Sequence, residues 1–289
     1  MIKLPISVII LTYNEEINLP HCLKSIEDHI SEIIVVDSGS NDKTLEIAEK
    51  YGAYIVRHED YKNQAQQFNW VLDNVEVKYS WIFRLDADEW VTKELWQEIE
   101  EKLENTPEKI TGYFIKRRVY FMGKWIKHGG YYPTWILRLF RKGKGRYENR
   151  EMDEHIVLSE GKTGKLKNDF ADENHKSLKE WTAKHNDFST REAREELKTR
   201  YESQSADCKS LGGQAGRKRA LKTGFYMRLP LFCRTLAYFL YRYIIKLGFL
   251  DGREGLIFHF LQGFWYRFLI DAKILESKKR NNGYKRSNK

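Results

Sequence analysis

The chain has 289 residues, of which 41% are hydrophobic, and this apolar content can fill a substantial core, so wholesale disorder is excluded. Three widely spaced cysteines, an odd number without a CxxC pair, exclude a disulfide framework and a cysteine-rich metal site and favour a reducing compartment. The formal charge of +9 is uneven: residues 1–175 carry 25 Lys and Arg against 30 Asp and Glu, whereas residues 176–289 carry 25 against 11. The N-terminus lacks a signal-peptide cleavage pattern, so we expect a cytoplasmic protein.

The first part of the chain alternates between short apolar runs and helical patterns. Residues 6–11 (ISVIIL) and 33–36 (IIVV) are nearly all apolar and rich in β-branched side chains, as expected for strands buried on both faces of a parallel sheet. Residues 15–29 and 44–51 have helical spacing, and residues 54–57 read as a third strand. This β-α-β-α-β order predicts right-handed crossovers and a doubly wound α/β sheet.

The middle of the chain continues this pattern and then changes. Residues 62–75 predict a helix, residues 81–85 (WIFRL) a strand, and residues 92–103 another helix. Residues 112–147 are strand-like and rich in aromatic residues and glycine. We interpret this last stretch as the half of the domain that closes over a site.

The C-terminal part predicts helices with a basic and aromatic character. Residues 180–200 predict a charged helix, a polar linker follows to residue 223, and the basic tail 278–289 predicts disorder. Residues 229–250 and 256–275 are strongly apolar and aromatic but are interrupted by Lys and Arg. No run of about 18 uncharged apolar residues exists, so we do not expect a transmembrane span.

Polar residues follow three of the predicted strands, at the edge where parallel α/β sheets bind ligands. The three stretches are Thr12-Tyr13-Asn14-Glu15, Asp37-Ser38-Gly39-Ser40 and Asp86-Ala87-Asp88. Acidic and amide groups there can hydrogen-bond a base and a ribose, and the flat tyrosine ring can stack on a base. No GxGxxG follows the first strand and no GxxxxGK[ST] occurs, which disfavours dinucleotide and P-loop sites. Each stretch alone is equally typical of a tight loop.

The pair Asp86 and Asp88 adds the chemistry of a metal site. Two carboxylates one residue apart at a strand end can hold a hard divalent cation through oxygen ligands. A cation there would neutralise a leaving diphosphate and so lower the barrier to its departure. The alternative for this short motif is a solvated acidic turn.

Together, SVIILTYNEE, EIIVVDSGSNDKT and FRLDADE, in this order and at these separations, resemble the GT-A glycosyltransferases of family 2. That resemblance implies an inverting, nucleotide-sugar-dependent enzyme with a GT-A fold, a doubly wound and mostly parallel sheet. The closest likeness is to bacterial enzymes that build lipopolysaccharide core or exopolysaccharide units. It covers roughly the first 175 residues, and GFLDGREGL near the C-terminus is similar to that subgroup as well.

The resemblance implies roles for residues at the predicted strand ends. The nucleotide pocket would be lined by the backbone of Leu11 and by Tyr13, Glu15 and Asp37, the last of these contacting the base or ribose. Lys62 and Gln67 lie where the family often places groups near the nucleotide sugar, although Gln67-Phe68-Asn69 replaces the usual Arg-Asn pairing.

The same resemblance implies a cation site and a base. Asp86 would contact the ribose or the cation, Asp88 would be the main ligand to Mg or Mn, and His175 would meet the cation or diphosphate. Inverting transfer needs a carboxylate that deprotonates the acceptor hydroxyl. The family's base aligns with Asp153-Glu154, so Glu154 is the first candidate and Asp153 the second. A solvated histidine and an exposed acidic turn are the alternatives.

The basic, aromatic C-terminal region predicts attachment to an anionic membrane surface, where apolar burial and charge attraction add. A buried helical subdomain or an oligomer contact would explain the same pattern. Nucleic acid is the rival partner for a basic chain, but no nucleic-acid-binding motif is recognisable, so we expect none. Oligomeric state is left open.

We therefore predict a glycosyltransferase that acts on a lipid-linked, lipopolysaccharide or exopolysaccharide glycan at the inner face of the cell membrane. The predicted division is a GT-A catalytic domain at 1–175, a charged helix and linker at 176–223, a membrane-associating region at 224–277 and a basic tail at 278–289. A nucleotidyltransferase or a non-catalytic membrane-surface scaffold with the same fold are the alternatives.

Overall fold

The computed structural model describes residues 3–148, 154–201 and 213–287. Its strands are β1 (Leu4–Thr12), β2 (Ile30–Asp37), β3 (Tyr54–Arg57), β4 (Trp81–Asp86), β5 (Glu89–Val91), β6 (Ile110–Phe121), β7 (Lys124–Ile126), β8 (Thr134–Arg141), β9 (Gly145–Tyr147), β10 (Ile156–Leu158) and β11 (Lys162–Glu173). Its α-helices are α1 (Leu19–Lys24), α2 (Thr44–Lys50), α3 (Gln64–Asn74), α4 (Lys93–Leu103), α5 (Leu178–Tyr201), α6 (Gly213–Gly224), α7 (Cys233–Leu240), α8 (Gly252–Phe258) and α9 (Tyr266–Ser287).

One mixed sheet forms the centre of the molecule's first part. Its order is β3-β2-β1-β4-β8-β6-β11-β5, with β7 paired to β6, while β9 and β10 form a separate antiparallel pair. The first four strands in this order are mutually parallel, as the alternation of strands and helices predicts. Strand β8 runs antiparallel to both β4 and β6, and β11 is parallel to β6. The four predicted strands are thus confirmed.

The central strands are buried on both faces. Along β1, Ile6, Val8 and Ile10 contribute to one hydrophobic cluster, and Ile9 and Leu11 contribute to the other. This follows from the pleat, because successive side chains point to opposite faces of a strand. An all-apolar strand therefore needs cover on both sides, as the sequence indicates.

Helix α1 is shorter than the helical spacing over 15–29 suggests, since it spans only Leu19–Lys24. Pro20 lies in its first turn. A proline disfavours helical backbone in the residue before it, so the helix cannot readily extend backward from this point. Residues 13–18 are left as a loop at the carboxyl end of β1.

The chain folds into two compact units. The sheet unit comprises Met1–Trp125 and Tyr132–Lys176, and the helical unit comprises Ile126–Tyr131 and Ser177–Lys289. In the helical unit, α5 packs against α9 around a core of Ala193, Tyr266, Ile270 and Ile274.

Two C-terminal stretches differ from the expectation. Helix α6 occupies 213–224, where we expected a linker, and α9 continues to Ser287, into the predicted disordered tail. Both stretches are rich in Lys, Arg, Ala or Leu, which are good helix formers. An ion pair one turn apart, between Arg280 and Glu276 at 2.7 Å, adds to α9. No helix within the described residues is both long and apolar enough to cross a bilayer.

Candidate active site

Strand register brings the predicted strand-end residues to one edge of the sheet. Leu11 lies opposite Val36 on β2 and opposite Asp86 on β4, and Thr12 lies opposite Asp37. The carboxyl ends of β1, β2 and β4 are therefore neighbours, as expected for parallel strands joined by right-handed crossovers.

Asp37 is buried at this edge and organises the loop that follows β2. Its Oδ1 accepts hydrogen bonds from the backbone N–H groups of Gly39 and Ser40, at 2.9 and 2.8 Å. Its Oδ2 accepts from the hydroxyls of Thr12, at 3.0 Å, and Ser40, at 2.5 Å. Gly39 has a φ of +94°, which side-chain-bearing residues rarely adopt. The carboxylate thus fixes the turn after β2.

The loops after β1 and β2 are bonded to each other. The backbone N–H of Asn14 donates to Ser40 Oγ at 2.8 Å, and Asn14 Oδ1 accepts from the N–H of Asn41 at 2.9 Å. Asn14 has a φ of +53°, a left-handed conformation that asparagine tolerates better than most residues. Beside it, the Tyr13 side chain is 59% exposed, so its ring is open to stacking.

Glu15 is held by a lysine that lies far away in the sequence. Lys176 Nζ lies 2.9 Å from Glu15 Oε1 and also donates to the carbonyl of Asn14 at 2.6 Å. Asn18 Nδ2 donates to Glu15 Oε2 at 2.7 Å. Burial raises the pKa of Glu15 and the charge of Asp88 raises it further, against the opposing effect of Lys176 and Asn18. Glu15 and Asp88 are therefore close enough to repel each other.

Asp86 is clamped between two buried arginines. Its Oδ1 lies 2.6 Å from Arg84 Nη1 and its Oδ2 lies 3.0 Å from Arg138 Nη2. Arg138 also pairs with Glu89, whose Oε2 accepts from the Asp86 backbone N–H at 2.9 Å. Burial raises the pKa of Glu89, whereas the charges of Glu89 and Asp86 raise the pKa of Arg138 despite its burial. The two arginines therefore keep their positive charge beside Asp86.

Sequence reasoning missed Arg84, Arg138, Glu89 and Lys176. A signal for the two arginines is present, since each interrupts an otherwise apolar buried strand, WIFRLD and TWILRLFR. A charge in such a strand must find a partner, because an unpaired buried charge is very costly. The identity of that partner is decided only by strand pairing.

Asp88, which the resemblance makes the main ligand to a divalent cation, is partly exposed at this edge. Both oxygens of Asp86 already face arginines. Asp88 is partly exposed and its charge acts on Glu15, so a cation would relieve that repulsion. Across the described stretches 3–148, 154–201 and 213–287, no three His, Cys, Asp or Glu residues are grouped as a metal site. Water and diphosphate would thus have to supply most ligands.

His175 lies beside the loop after β1 rather than in a cluster with both aspartates. Its ring stacks on that of His21, with 4.2 Å between centroids, and its backbone N–H donates to Asn18 Oδ1 at 2.8 Å. The side chain is exposed. Its predicted contact to a cation or diphosphate stays a prediction.

Gln67 and Lys62 are placed differently from each other. Gln67 is buried on α3, and its Nε2 donates to Ser38 Oγ at 2.6 Å, in the loop that Asp37 organises. Lys62 is exposed, with its Nζ 4.0 Å from Asp60 Oδ2. Gln67 therefore supports the loop, whereas Lys62 faces solvent.

Tyr147 is influenced by the charges of both the predicted base Glu154 and Arg84. Asn69 fixes it in place, because the Asn69 amide exchanges two 2.9 Å hydrogen bonds with the Tyr147 backbone. Burial raises the pKa of Tyr147, Arg84 lowers it, and the charge of Glu154 raises it. Glu154 and Arg84 therefore act in opposite directions on the same half-buried tyrosine. Asp153 lies outside the described residues.

The mostly parallel α/β sheet, its polar carboxyl edge and the C-terminal helical extension are those expected of a GT-A fold. The chain belongs to glycosyl transferase family 2, whose family model matches residues 7–162.

The relatives of this chain agree with that assignment. It is 34% identical over 171 residues to the lipopolysaccharide core biosynthesis glycosyltransferase LpsC of Rhizobium meliloti, covering 56% of this chain and 60% of LpsC. An uncharacterized glycosyltransferase of Rickettsia bellii is 39% identical over 97 residues, 33% of this chain and 31% of that protein. The chain thus spans less than two thirds of either relative.

A solved structure, S. aureus TarS 1–349, aligns with this chain at 15% sequence identity and a TM-score of 0.47. The alignment covers 97% of this chain and 92% of the TarS chain. Similarity at this level says nothing about activity.

Proposed function

We propose that this protein transfers a sugar, with inversion, from a nucleotide-diphosphate sugar to a hydroxyl of a glycan acceptor. The observation that carries the proposal is the meeting of Asp37 and Asp86 at one carboxyl edge of the sheet, with Asp88 two residues beyond Asp86. In open, mostly parallel α/β sheets, ligands usually bind at the carboxyl ends of the strands, where these acidic side chains lie.

The donor nucleotide would bind where the loops after β1 and β2 are tied together. The exposed Tyr13 ring would stack on the base, and Asp37 and Glu15 would contact the base and ribose. Leu11 would line the pocket through its backbone, with Gln67 behind the loop and Lys62 at its rim.

A divalent cation, Mg or Mn, would be held mainly by Asp88, next to Asp86. When bound, it would supply positive charge beside the diphosphate that leaves. His175 would lie near that diphosphate. Arg84 and Arg138 hold Asp86 in one orientation, so the carboxylate is fixed before the donor arrives.

The transfer step needs a base on the far side of the sugar. The acceptor oxygen attacks C1 as the bond from C1 to the diphosphate oxygen breaks, and the hydroxyl proton passes to Glu154, or to Asp153 in its place. One displacement at C1 inverts its configuration. The nucleoside diphosphate leaves with the bonding electron pair.

The acceptor we propose is a lipid-linked, lipopolysaccharide or exopolysaccharide glycan at the inner face of the cell membrane. LpsC is named for lipopolysaccharide core biosynthesis, and the C-terminal part of this chain is basic and aromatic. Anionic lipid would attract such a region.

The experiment is a transfer assay with a panel of nucleotide sugars and glycan acceptors, with Mg or Mn, in which nucleoside diphosphate release is measured. Asp88→Asn should abolish metal-dependent transfer, and Glu154→Gln should slow transfer by roughly 10²–10⁴-fold while donor binding stays intact. The exposed Glu46→Gln on α2 is the control. Full activity of Asp88→Asn would refute the cation role, and retained anomeric configuration in the product would refute inversion.

A further inference from the structure

Residues 233–268 of the helical unit form an antiparallel helical hairpin, which we call the apolar hairpin. Phe232, at its start, contacts Phe268, Phe239 contacts Phe264, and Tyr243 contacts His259, with ring centroids 4.9, 5.9 and 5.9 Å apart. The midpoints of these pairs lie between residues 250 and 252, so the turn of the hairpin falls between Tyr243 and His259. Residues 241–250 lead into this turn, and we call them the apex.

The hairpin has a closed interior of its own. Gly248 lies so close to the buried His259 ring that a Cβ there would meet Nε2 at 2.6 Å. At the base, buried Arg234 pairs with Asp271 and lies 2.8 Å from Glu196. The interior of the hairpin is therefore formed without the apolar side chains that face outward.

The apex exposes a contiguous set of large apolar side chains. They are Tyr241, Ile244, Ile245, Leu247, Phe249 and Leu250. Ile245 is 68% and Leu250 is 55% exposed. On the preceding helix, Leu236 and Leu240 continue the exposed row at a spacing of four residues. Scattered exposed apolar residues are ordinary, but a contiguous set marks a contact surface.

The charges around the apex favour an anionic lipid surface as the contact. Residues 225–270 hold six Lys and Arg against two Asp and Glu, although Arg234 is buried and Arg267 is paired with Glu192. Asp251 is buried and bonded to His128 at 2.6 Å, so its charge does not face outward. Lys246 in the apex and Arg253 just after it are exposed. Cations beside apolar side chains suit the headgroup boundary, where the charged ends reach phosphates as apolar groups enter the acyl region.

We propose that the apex of the apolar hairpin inserts into one leaflet of an anionic bilayer, with Lys246 and Arg253 at the headgroups. This rests on the proposed function, because a lipid-linked acceptor gives the enzyme a reason to reside there. It narrows the attachment from a broad basic region to one turn of the chain. Insertion into a single leaflet also suits a hairpin whose described helices are too short or too polar to span.

The test is flotation of the full-length protein with vesicles of phosphatidylcholine and phosphatidylglycerol, and with vesicles of phosphatidylcholine alone. Wild type should float with the anionic vesicles, and Ile245→Asp/Leu250→Asp should lower the partition coefficient on the order of 100-fold. Lys246→Glu/Arg253→Glu should weaken binding to the anionic vesicles only. The matched control is Leu221→Asp on α6, since Leu221 is 67% exposed but outside the hairpin.

Light scattering and circular dichroism complete the design. Unchanged helix content would show that the Ile245→Asp/Leu250→Asp protein is folded, as expected for exposed positions. Equal flotation of this variant and wild type would overturn the inference. A wild-type dimer that becomes monomeric in the variant, without vesicle binding by either, would also overturn it and assign the apex to a second copy. Wild-type flotation without any sugar transfer would refute the proposed function alone.

Discussion

Arg138 Nη2 lies 3.0 Å from Asp86 Oδ2, and this contact joins the antiparallel part of the sheet to the edge where the parallel strands end. Arg138 is on β8 and Asp86 ends β4. Because both Arg138 and Arg84 face Asp86, this carboxylate is oriented by the protein itself. The orientation of Asp86 is thus set by residues of two different strands.

The buried pair of Arg138 and Glu89 should be strongly coupled. Arg138→Met leaves Glu89 without its buried partner, so we expect the free energy of unfolding to fall by about 3–5 kcal/mol. Glu89→Gln in the same protein replaces the carboxyl group that has lost its partner, so the double variant should lose less than the sum of the single variants. Urea unfolding of all four proteins measures this difference. Additive losses would contradict the coupling.

Lys176 should set the pH at which Glu15 is ionised. Its removal in Lys176→Met takes away a charge and a hydrogen bond that lower the pKa of Glu15, so this pKa rises further. If donor binding uses the carboxylate, the acid limb of kcat/KM moves to higher pH. Lys176→Arg should retain most of the wild-type profile, and the exposed Lys24→Met should leave it unchanged. A profile of Lys176→Met identical to wild type would contradict the role.

Asp37→Asn should destabilise the loop after β2. The asparagine keeps one acceptor oxygen where the carboxylate accepts from two N–H groups and two hydroxyls, so we expect a loss of about 1–3 kcal/mol. Thr12→Val removes only one donor and should cost about 1 kcal/mol. Thermal or urea unfolding compares the two, and nucleotide titration should show weaker donor binding for Asp37→Asn. An equal cost for both would contradict the anchoring role.

Stability should fall in mild acid because the buried His259 and the half-buried His185 are neutral in the folded protein. Burial lowers the pKa of His259 to about 4, with the charge of Arg242 adding to the effect, and burial lowers the pKa of His185 to about 4. Their pKa is about 6.5 when unfolded, so the unfolded chain binds these protons first. The stabilisation is complete above pH 6.5 and is lost as the pH falls toward 4.

Urea unfolding at intervals from pH 7.5 to 5 measures this effect, since most carboxylates stay ionised there. Each histidine can contribute a slope of up to about 1.4 kcal/mol per pH unit. His185→Gln should reduce the slope by its own share. A wild-type free energy of unfolding that is flat between pH 6.5 and 5 would show that these rings are not neutral in the folded protein.

The sheet and the meeting of its strand-end polar residues could be predicted from local patterns. Runs such as ISVIIL require burial on both faces, and their alternation with helical spacing dictates parallel pairing. Polar residues that directly follow those runs must then meet at one edge, as Thr12, Asp37 and Asp86 do. The helix over 15–29 was predicted too long, because periodicity outweighed the local effect of Pro20.

Which distant side chains act on those edge residues depends on how the strands pair. Arg138 is 52 residues from Asp86, and Lys176 is more than 150 residues from Glu15, so no spacing rule could pair them. Their partners follow from strand order and from the cost of burying an unpaired charge. The outward face of the apolar hairpin is a similar case: composition gives its apolar and basic character, but packing decides which side chains remain exposed. The strands, the polar residues at their carboxyl ends and the family could be predicted from the sequence, because each depends on a local pattern. Strand pairing and side-chain exposure depend on the whole fold.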